Sequence, residues 1–383
     1  MTVYLDHGAT AFPRAPGVAG AMVRSLDEAS GNPGRGGHRL AVAASRAIEA
    51  AREEVAALLG GDPERTLFGP GATFWLNTVL ASTLGEGSRV VTSALEHNAI
   101  MRPLRWLEEN RGIEVVVVEA ADPNGVPTSA EVAARVAEAP TALVVLTHAS
   151  NISGAVLPVA RAARAVAPVP VLVDAAQTAG NRPIAFADLG AAALVCSGHK
   201  GLLGPPGIGV LLLAPDFEIE PLLRGGTGSR SESEEMPDFL PDRLEAGTVN
   251  GAGAAGLGAA CAWLGERTVE AVAEHEHGLV GLLAAGLSTI AGVQLHGWAE
   301  SAPHTGILGF TVDGVDSGEL ASWLDREREI CLRAGLHCAP AAHRRLGTFP
   351  NGTLRAGIGP FNTDADVDTL IRAIAEVRAD GMR

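Results

Sequence analysis

Six short apolar runs, separated for the most part by helical stretches, constrain the fold of this chain more than any other feature. The runs cover residues 89–92, 114–118, 143–146, 169–173, 193–196 and 209–213. Most of them are continuous rather than alternating, which is typical of strands that are covered on both faces. The pattern therefore predicts an α/β domain around a largely parallel sheet, with ligands bound at the carboxyl ends of the strands.

The sequence also predicts how the chain divides into domains. Residues 39–59 carry apolar side chains at intervals of three and four and stop at Gly60 and Gly61, which predicts an amphipathic helix. The polar residues 225–238 predict an exposed loop. We predict an N-terminal segment near the active site at 1–15, a large α/β domain at 16–255 and a small α+β domain at 256–383.

Composition indicates which classes of binding partner and which cellular location to expect. A total of 29 Lys and Arg against 44 Asp and Glu gives a net charge of −15, which argues against a surface for nucleic acid or for an anionic membrane. The four cysteines form no CxxC pair, so a reducing, cytoplasmic environment is expected. Residues 1–10 lack a basic region, so no signal peptide is expected. The uncharged stretch 278–299 contains five glycines and is interpreted as a buried helix running into a strand, not as a membrane span.

A single lysine is the most informative residue. Of the 29 basic residues, 28 are arginine, and Lys200 is the only lysine. A guanidinium stays protonated, whereas a desolvated amine can lose its proton and form a Schiff base with a carbonyl group. Lys200 directly follows the apolar run 193–196 and the residues Ser-Gly-His. The sequence thus indicates Schiff-base chemistry, either of the aldolase type or with pyridoxal phosphate.

Pyridoxal phosphate needs an acid for its ring nitrogen, and a group that stacks on the ring. Asp174 closes the run 169–173 and is positioned to supply the acid, although an isolated Asp there also caps helices. Gln177 can donate to the phenolic oxygen of the ring. His97 can lie on the ring, although a single His is often structural.

The cofactor also needs a cradle for its phosphate. Residues 69–73, GPGAT, lead from a strand into a helix, where free N–H groups and the helix dipole favour a phosphate and Thr73 adds a hydroxyl donor. Such turns are also common as plain tight connections. Ser197 and His199 add donors beside Lys200.

Together these residues resemble the class V aminotransferase family of fold-type I pyridoxal phosphate enzymes, and more narrowly its SUF-type cysteine desulfurase and selenocysteine lyase branch. The matching stretches are LDHGAT at 5–10, GNPGRGGH at 31–38, GPGAT at 69–73, EHN at 96–98, SNISG at 150–154, DAAQTAG at 174–180, SGHKGLLGPPGIG at 197–209, EAGT at 245–248 and RAGLHCAP at 333–340. The resemblance implies a mostly parallel seven-stranded sheet in the large domain, and a small C-terminal domain that carries the Cys338 loop and Arg355.

The resemblance assigns roles residue by residue. It implies that Lys200 bonds pyridoxal phosphate, that Asp174 pairs with the ring nitrogen, and that His97 stacks on the ring. The other residues implied at the cofactor are Ala72, Thr73, Asn151, Gln177, Ser197, His199 and, from a second subunit, Thr248. The residues implied at the substrate carboxylate or nearby are Asn151, Arg355, Arg333 and His38.

Cys338, in the motif His-Cys-Ala, is the residue that implies a desulfurase. In the family this cysteine is the nucleophile, so the expected reaction converts L-cysteine to L-alanine and leaves a persulfide on Cys338, with Lys200 and His97 as the other catalytic residues. His337 or Arg333 is positioned in the sequence to favour the Cys338 thiolate. A zinc site of His337, Cys338 and His343 lacks a fourth ligand, so no metal is expected. The other cysteines, at 196, 261 and 331, are expected to be buried and inert.

Several alternatives stay open at this point. Another reaction of the same fold is the nearest: a C–S lyase, a selenocysteine lyase, an epimerase or an aminotransferase, for which Cys338 would be dispensable. A non-catalytic binding or scaffold protein is the rival from a different class. The resemblance further implies a homodimer, a small amino acid substrate such as L-cysteine, and a sulfur-acceptor protein as a candidate partner.

Overall fold

The computed structural model describes residues 2–34 and 36–382. The strands are β1 Val3–Tyr4, β2 Thr66–Gly69, β3 Arg89–Ser93, β4 Glu114–Val118, β5 Leu143–Thr147, β6 Val171–Asp174, β7 Ala193–Ser197, β8 Gly209–Leu213, β9 Val293–His296, β10 Ile307–Val312, β11 Ile330–Cys331, β12 Arg333–Gly335 and β13 Thr353–Gly357. The helices are α1 Val18–Glu28, α2 Arg39–Leu59, α3 Ala72–Thr83, α4 Asn98–Arg111, α5 Ser129–Ala137, α6 Val159–Val166, α7 Phe186–Leu189, α8 Gly251–Arg267, α9 Val269–Ser288, α10 Ser317–Arg328, α11 Pro340–Arg345 and α12 Asp364–Asp380.

A seven-stranded sheet organises the large part of the molecule, in the order β2-β8-β7-β6-β5-β3-β4. The strands from β4 to β7 pair in parallel, whereas β8 runs antiparallel to both of its neighbours. Each of the six predicted runs overlaps one of these strands, so the predicted mostly parallel sheet is confirmed. Parallel pairing brings the carboxyl ends of β3, β5, β6 and β7 to the same edge.

The continuous apolar runs exist because both faces of this sheet are covered. Within β5 every residue is buried, and alternate residues belong to opposite sides. Val144 and Leu146 join the apolar cluster that includes α2 and α8, whereas Leu143 and Val145 join the cluster that includes α3 and α4. Alternate side chains of one strand therefore pack into two different hydrophobic cores, one on each face of the sheet.

A second, antiparallel sheet forms the small C-terminal part, in the order β12-β13-β10-β9. Its cluster of buried residues includes Leu283 of α9 and Leu370 of α12, together with Val3 and Leu5 from the N-terminus. The N-terminal strand β1 pairs in parallel with β11. The start of the chain thus forms a separate two-stranded sheet with β11 and packs into the core of the C-terminal part.

The predicted domain limits stay a prediction. Residue 256 lies inside α8, and the buried side chains Ala254, Leu257 and Ala260 of this helix belong to the same cluster as the large sheet. Helix α2 occupies the predicted range, and Gly60 follows it with a φ of 65°, the left-handed conformation that glycine adopts most readily at a helix C-terminus. In the described part of the chain, no helix is both long and apolar enough to cross a membrane.

Candidate active site

The lysine loop follows β7 at the edge where the parallel strands end. Lys200 lies three residues after this strand, and its carbonyl accepts a hydrogen bond from the Leu203 amide at 2.8 Å. The loop packs directly on the chain that follows β6: a Cβ added at Gly180, where φ is 85°, would lie 2.2 Å from the Gly201 oxygen. Only glycine allows this approach, which holds Lys200 next to the segment that begins with Asp174.

The surroundings of Lys200 lower the pKa of its amine. Burial lowers the pKa of Lys200, and the charges of Arg355 and Arg333 lower it further, whereas Asp174 and Cys338 oppose the shift. An amine that loses its proton more readily is a better nucleophile toward a carbonyl group. The same interactions show that these five side chains share one electrostatic environment.

Asp174 is the acid that faces this amine. Asp174 is 4% exposed, and its Oδ1 accepts a hydrogen bond from the Ala176 amide at 2.9 Å. Burial raises its pKa, which the Ala176 bond and the positive charge of Lys200 counteract. Because β6 and β7 are parallel neighbours, Asp174 and Lys200 come together as the order of the strands predicts.

A second buried carboxyl group, Glu96, lies close to Asp174 and was not predicted from the sequence. Ser93 Oγ donates to it at 2.6 Å, and the Thr147 amide lies 2.9 Å and 3.0 Å from its two oxygens. Burial raises the pKa of Glu96 to about 8, so it adds no negative charge beside Asp174 at neutral pH. In the sequence, Glu96 could have been identified by its position directly before His97 in the EHN motif. Through these hydrogen bonds, Glu96 connects Ser93 at the end of β3 with Thr147 at the end of β5.

His97 caps α4 and is a neutral imidazole. Its Nδ1 accepts a hydrogen bond from the Ala99 amide at 3.0 Å. Burial lowers its pKa to about 4, and the charge of Lys200 contributes next. A neutral ring that is fixed by its own helix cap is suited to lie on a flat cofactor.

The start of α3 offers free backbone donors. Gly71 precedes Ala72, the first residue of the helix, and supplies no side-chain acceptor for the amide groups there. Thr73 is exposed, while Ser197 at the end of β7 is buried. A helix N-terminus of this kind favours a phosphate group.

Three further residues predicted at the cofactor or substrate have other contacts in this chain. Gln177 Nε2 donates to the Gly8 carbonyl at 3.0 Å, and His199 Nδ1 lies 3.1 Å from Thr10 Oγ1. The first contact joins the N-terminal segment to the chain that follows β6, and the second joins it to the lysine loop. His38 is exposed and caps α2, with its Nδ1 3.4 Å from the Ala41 amide, and its place at the substrate stays a prediction.

Thr248 is exposed, in a loop held by a buried ion pair that sequence reasoning missed. Arg52 of α2 and Glu245 form two hydrogen bonds, of 2.8 Å and 3.1 Å. Glu245 Oε1 also accepts a hydrogen bond from the Phe68 amide in β2 at 2.7 Å. The pair thus connects the Thr248 loop to the strand that leads into GPGAT.

Arg355 forms the opposite end of the site. It is 1% exposed, its Nη1 donates to the Asn151 carbonyl at 3.0 Å, and its Nη2 lies 2.9 Å from Asp6 Oδ1. Its Nε is buried and has no hydrogen-bond partner among the described residues. A buried guanidinium with a free N–H is a suitable partner for a carboxylate.

Cys338 is exposed and lies in the loop between β12 and α11. Its carbonyl accepts a hydrogen bond from the Asn98 amide at 2.7 Å, next to His97. Arg333 is exposed, and its register partner in the sheet is Arg355. The cysteine therefore lies between α4, the helix that His97 caps, and the strands that carry Arg333 and Arg355.

Two predictions about this region are wrong. Of the two residues predicted to favour the Cys338 thiolate, His337 cannot do so by its charge, because burial lowers its pKa to about 3 and the ring is neutral; Arg333 stays a prediction. Its Nε2 instead points to the Thr353 carbonyl at 3.1 Å. Cys196 and Cys261 are buried as expected, but Cys331 is partly exposed, with its Sγ 3.5 Å from Asp325 Oδ1.

The fold and these side chains define a class of protein: an α/β enzyme with a single lysine, of lowered pKa, at the carboxyl edge of a mostly parallel sheet. The chain belongs to the aminotransferase class-V family, whose model matches residues 3–370.

Relatives and solved structures agree with this membership. The chain is 34% identical to a probable cysteine desulfurase of Methanothermobacter thermautotrophicus, over 99% of this chain and 95% of the relative. It is 32% identical to a cysteine desulfurase of Haloferax volcanii, over 98% and 89%. The apo cysteine desulfurase of Thermococcus onnurineus superposes with a TM-score of 0.91 at 29% identity, over 99% of this chain and 95% of that one. The cysteine desulfurase CsdA of Escherichia coli has a TM-score of 0.85 at 30% identity, over 97% and 94%. The predicted fold type is confirmed.

Proposed function

We propose that this protein is a cysteine desulfurase, which converts L-cysteine to L-alanine and retains the sulfur as a persulfide on Cys338. One observation carries the proposal: an exposed cysteine lies on a loop bonded both to the helix that begins after His97 and to Asn151, which holds Arg355. A nucleophile beside a carboxylate-binding arginine and a reactive lysine is what such a reaction requires.

The residues of the site fit pyridoxal phosphate. A buried acid, a neutral imidazole, a helix N-terminus without a side-chain cap and an amine of lowered pKa are the groups that this cofactor needs. The residues that would hold it are Lys200, Asp174, Gln177, His97, Asn151, Ala72, Thr73, Ser197 and His199, with Thr248 reaching in from a second subunit. When bound, the cofactor supplies an electron-withdrawing ring that accommodates negative charge at the substrate α-carbon.

The chain's own residues supply the rest of the reaction. Arg355 binds the substrate carboxylate through its unpaired Nε, and Asp6 keeps the guanidinium in place. Lys200 Nζ accepts the α-proton, which its lowered pKa favours. Cys338 Sγ attacks the substrate sulfur.

Atoms and electrons balance in this sulfur transfer. A sulfur–sulfur bond forms on Cys338 while the substrate carbon–sulfur bond breaks, and the bonding pair stays with carbon, which takes up a proton. The substrate carbon is reduced and the two sulfurs are oxidised, so that one cysteine and one thiol give one alanine and one persulfide, with no external oxidant.

Three finer points belong to the same proposal. The resemblance implies that Thr248 serves the phosphate site of a second subunit, and the exposure of Thr248 in this chain supports a homodimer. A persulfide on an exposed cysteine can be passed on, which supports a sulfur-acceptor protein as partner. The four cysteines are free thiols in the structure, which supports a cytoplasmic location.

The proposal is tested by incubating the purified, cofactor-loaded protein with L-cysteine and measuring alanine and sulfide in the presence of a reductant. Equal amounts of alanine and sulfide are expected, and L-selenocysteine and cystathionine serve as competing substrates. Pyruvate and ammonia in place of alanine would identify a C–S lyase. The absence of any product, with no visible absorbance of bound cofactor, would favour a non-catalytic protein.

Arg355→Lys should weaken substrate binding while the cofactor stays bound. Lysine keeps the positive charge but lacks the Nε–H donor of arginine, and a hydrogen bond to a charged group contributes about 1.5 to 3 kcal/mol. The KM for L-cysteine should therefore rise about 10- to 150-fold. Steady-state kinetics and the visible spectrum measure both effects. Arg372→Lys, on the exposed face of α12, is the matched control. An unchanged KM in Arg355→Lys would exclude this role.

A further inference from the structure

The loop that carries Cys338 has an unusual backbone. His337 and Cys338 have φ values of 45° and 59°, so two consecutive residues with side chains adopt the left-handed conformation. Such residues persist only where their surroundings hold them, and they occur at functional sites. The contacts that hold this loop therefore determine where the Cys338 thiol lies.

Contacts from three directions hold it. The Asn98 amide donates to the Cys338 carbonyl at 2.7 Å, and the side chain of Asn151 donates through Nδ2 to the His337 carbonyl, also at 2.7 Å. The buried His337 ring is anchored on Thr353, with its Nε2 3.1 Å from the carbonyl and 3.3 Å from the hydroxyl. Among these, the Asn151 bond is the one that a side-chain substitution removes without changing the loop itself.

Asn151 connects the loop to the arginine. Its main-chain oxygen accepts a hydrogen bond from Arg355 Nη1 at 3.0 Å, while its side chain bonds to His337. The residue is 6% exposed, and its Oδ1 has no hydrogen-bond partner in the described part of the chain. The amide must present its N–H to the loop, since the reverse orientation would place two oxygens against each other.

We propose that the Asn151 side chain is a positioning residue for the nucleophile: it holds the left-handed Cys338 loop in register with the Arg355 guanidinium. The catalytic role of this restraint rests on the proposed function, whereas the restraint of the loop by Asn151 does not. Binding of a substrate carboxylate at Arg355 and placement of the attacking sulfur then depend on one shared residue. A misplacement of reacting atoms by about 1 Å can cost about 100-fold in rate.

Asn151→Asp tests the proposal, because it removes the N–H donor at nearly constant volume. Hydrogen exchange of the amides of residues 336–340 in the cofactor-loaded protein should become roughly three- to tenfold faster. The kcat for L-cysteine should fall about 10- to 100-fold, and KM should change by a smaller factor than kcat. Asn151→Ala, which adds no charge, should give the same pattern and serves if the aspartate variant fails to fold. Asn110→Asp is the control, since Asn110 makes the same kind of bond to a backbone carbonyl, that of Trp106, far along α4.

The outcomes separate the two ideas. Unchanged exchange at 336–340 in both Asn151 variants would overturn the positioning role. A raised KM or lost cofactor absorbance with unchanged exchange would likewise overturn it and would assign Asn151 to binding alone. If the parent protein forms no persulfide but exchange still accelerates in the variants, the loop restraint holds and the desulfurase proposal fails.

Discussion

Lys200→Ala is expected to abolish the conversion of L-cysteine to alanine and to remove the visible absorbance of covalently bound pyridoxal phosphate. The substitution removes both the covalent anchor and the group that moves the α-proton. Proton transfer by one positioned side chain contributes about 10²- to 10⁴-fold, so the combined loss should be at least about 10⁴-fold. No other lysine exists in the chain to replace it. Absorbance spectroscopy and an alanine assay on the purified variant measure both effects.

Lys200→Arg is the informative companion to this variant. It keeps a positive charge opposite Asp174, but a guanidinium does not lose its proton under ordinary conditions. If the lysine acts as an amine that becomes neutral, the arginine variant should be as inactive as the alanine variant. Measurable turnover in Lys200→Arg, or full activity in Lys200→Ala, would remove the Schiff-base account of the site. A melting curve for each variant separates this result from a loss of folding.

The features that could be predicted from the sequence are those that depend on short-range periodicity. Continuous apolar runs identified the strands, and the helical stretches between most of them indicated parallel pairing. Once β6 and β7 are parallel neighbours, their carboxyl ends must meet. The proximity of Asp174 and Lys200, 26 positions apart in the printed sequence, follows from that topology. The motifs around Lys200 and Cys338 then supplied the family resemblance.

The remainder depends on contacts between distant segments, for which the sequence carries no periodic signal. The ion pair of Asp6 with Arg355 and the pair of Arg52 with Glu245 each join opposite parts of the chain. The reversal of β8 within the sheet had no signature either.

The error at His337 has a related cause. Its motif indicated proximity to Cys338, but the direction of its side chain depends on a left-handed backbone that turns the ring toward Thr353. Neighbouring residues in the sequence therefore lie on opposite sides of the loop, one in the interior and one at the surface.

Cys338→Ala should separate sulfur transfer from every other property of the protein. Alanine tolerates the same φ as cysteine at this position, and it leaves the carbonyl that accepts the Asn98 amide. Cofactor absorbance and the Kd for L-cysteine should stay unchanged. Alanine formation and persulfide on the protein, read by mass spectrometry of intact chains, should fall at least about 100-fold because the only attacking atom is lost.

The matched control is Cys331→Ala, because Cys331 is the other cysteine that the structure leaves partly accessible. Burial raises the pKa of the Cys331 thiol, as does Asp325, so this thiol is held protonated and is a poor nucleophile. Its removal should leave the rate of alanine formation unchanged. Sulfide release at the parent rate from Cys338→Ala would replace a desulfurase by a C–S lyase, since a lyase expels sulfur without a protein thiol. A large loss in Cys331→Ala would instead indicate that the persulfide forms on Cys331. This residue lies in β11, the strand that pairs with β1.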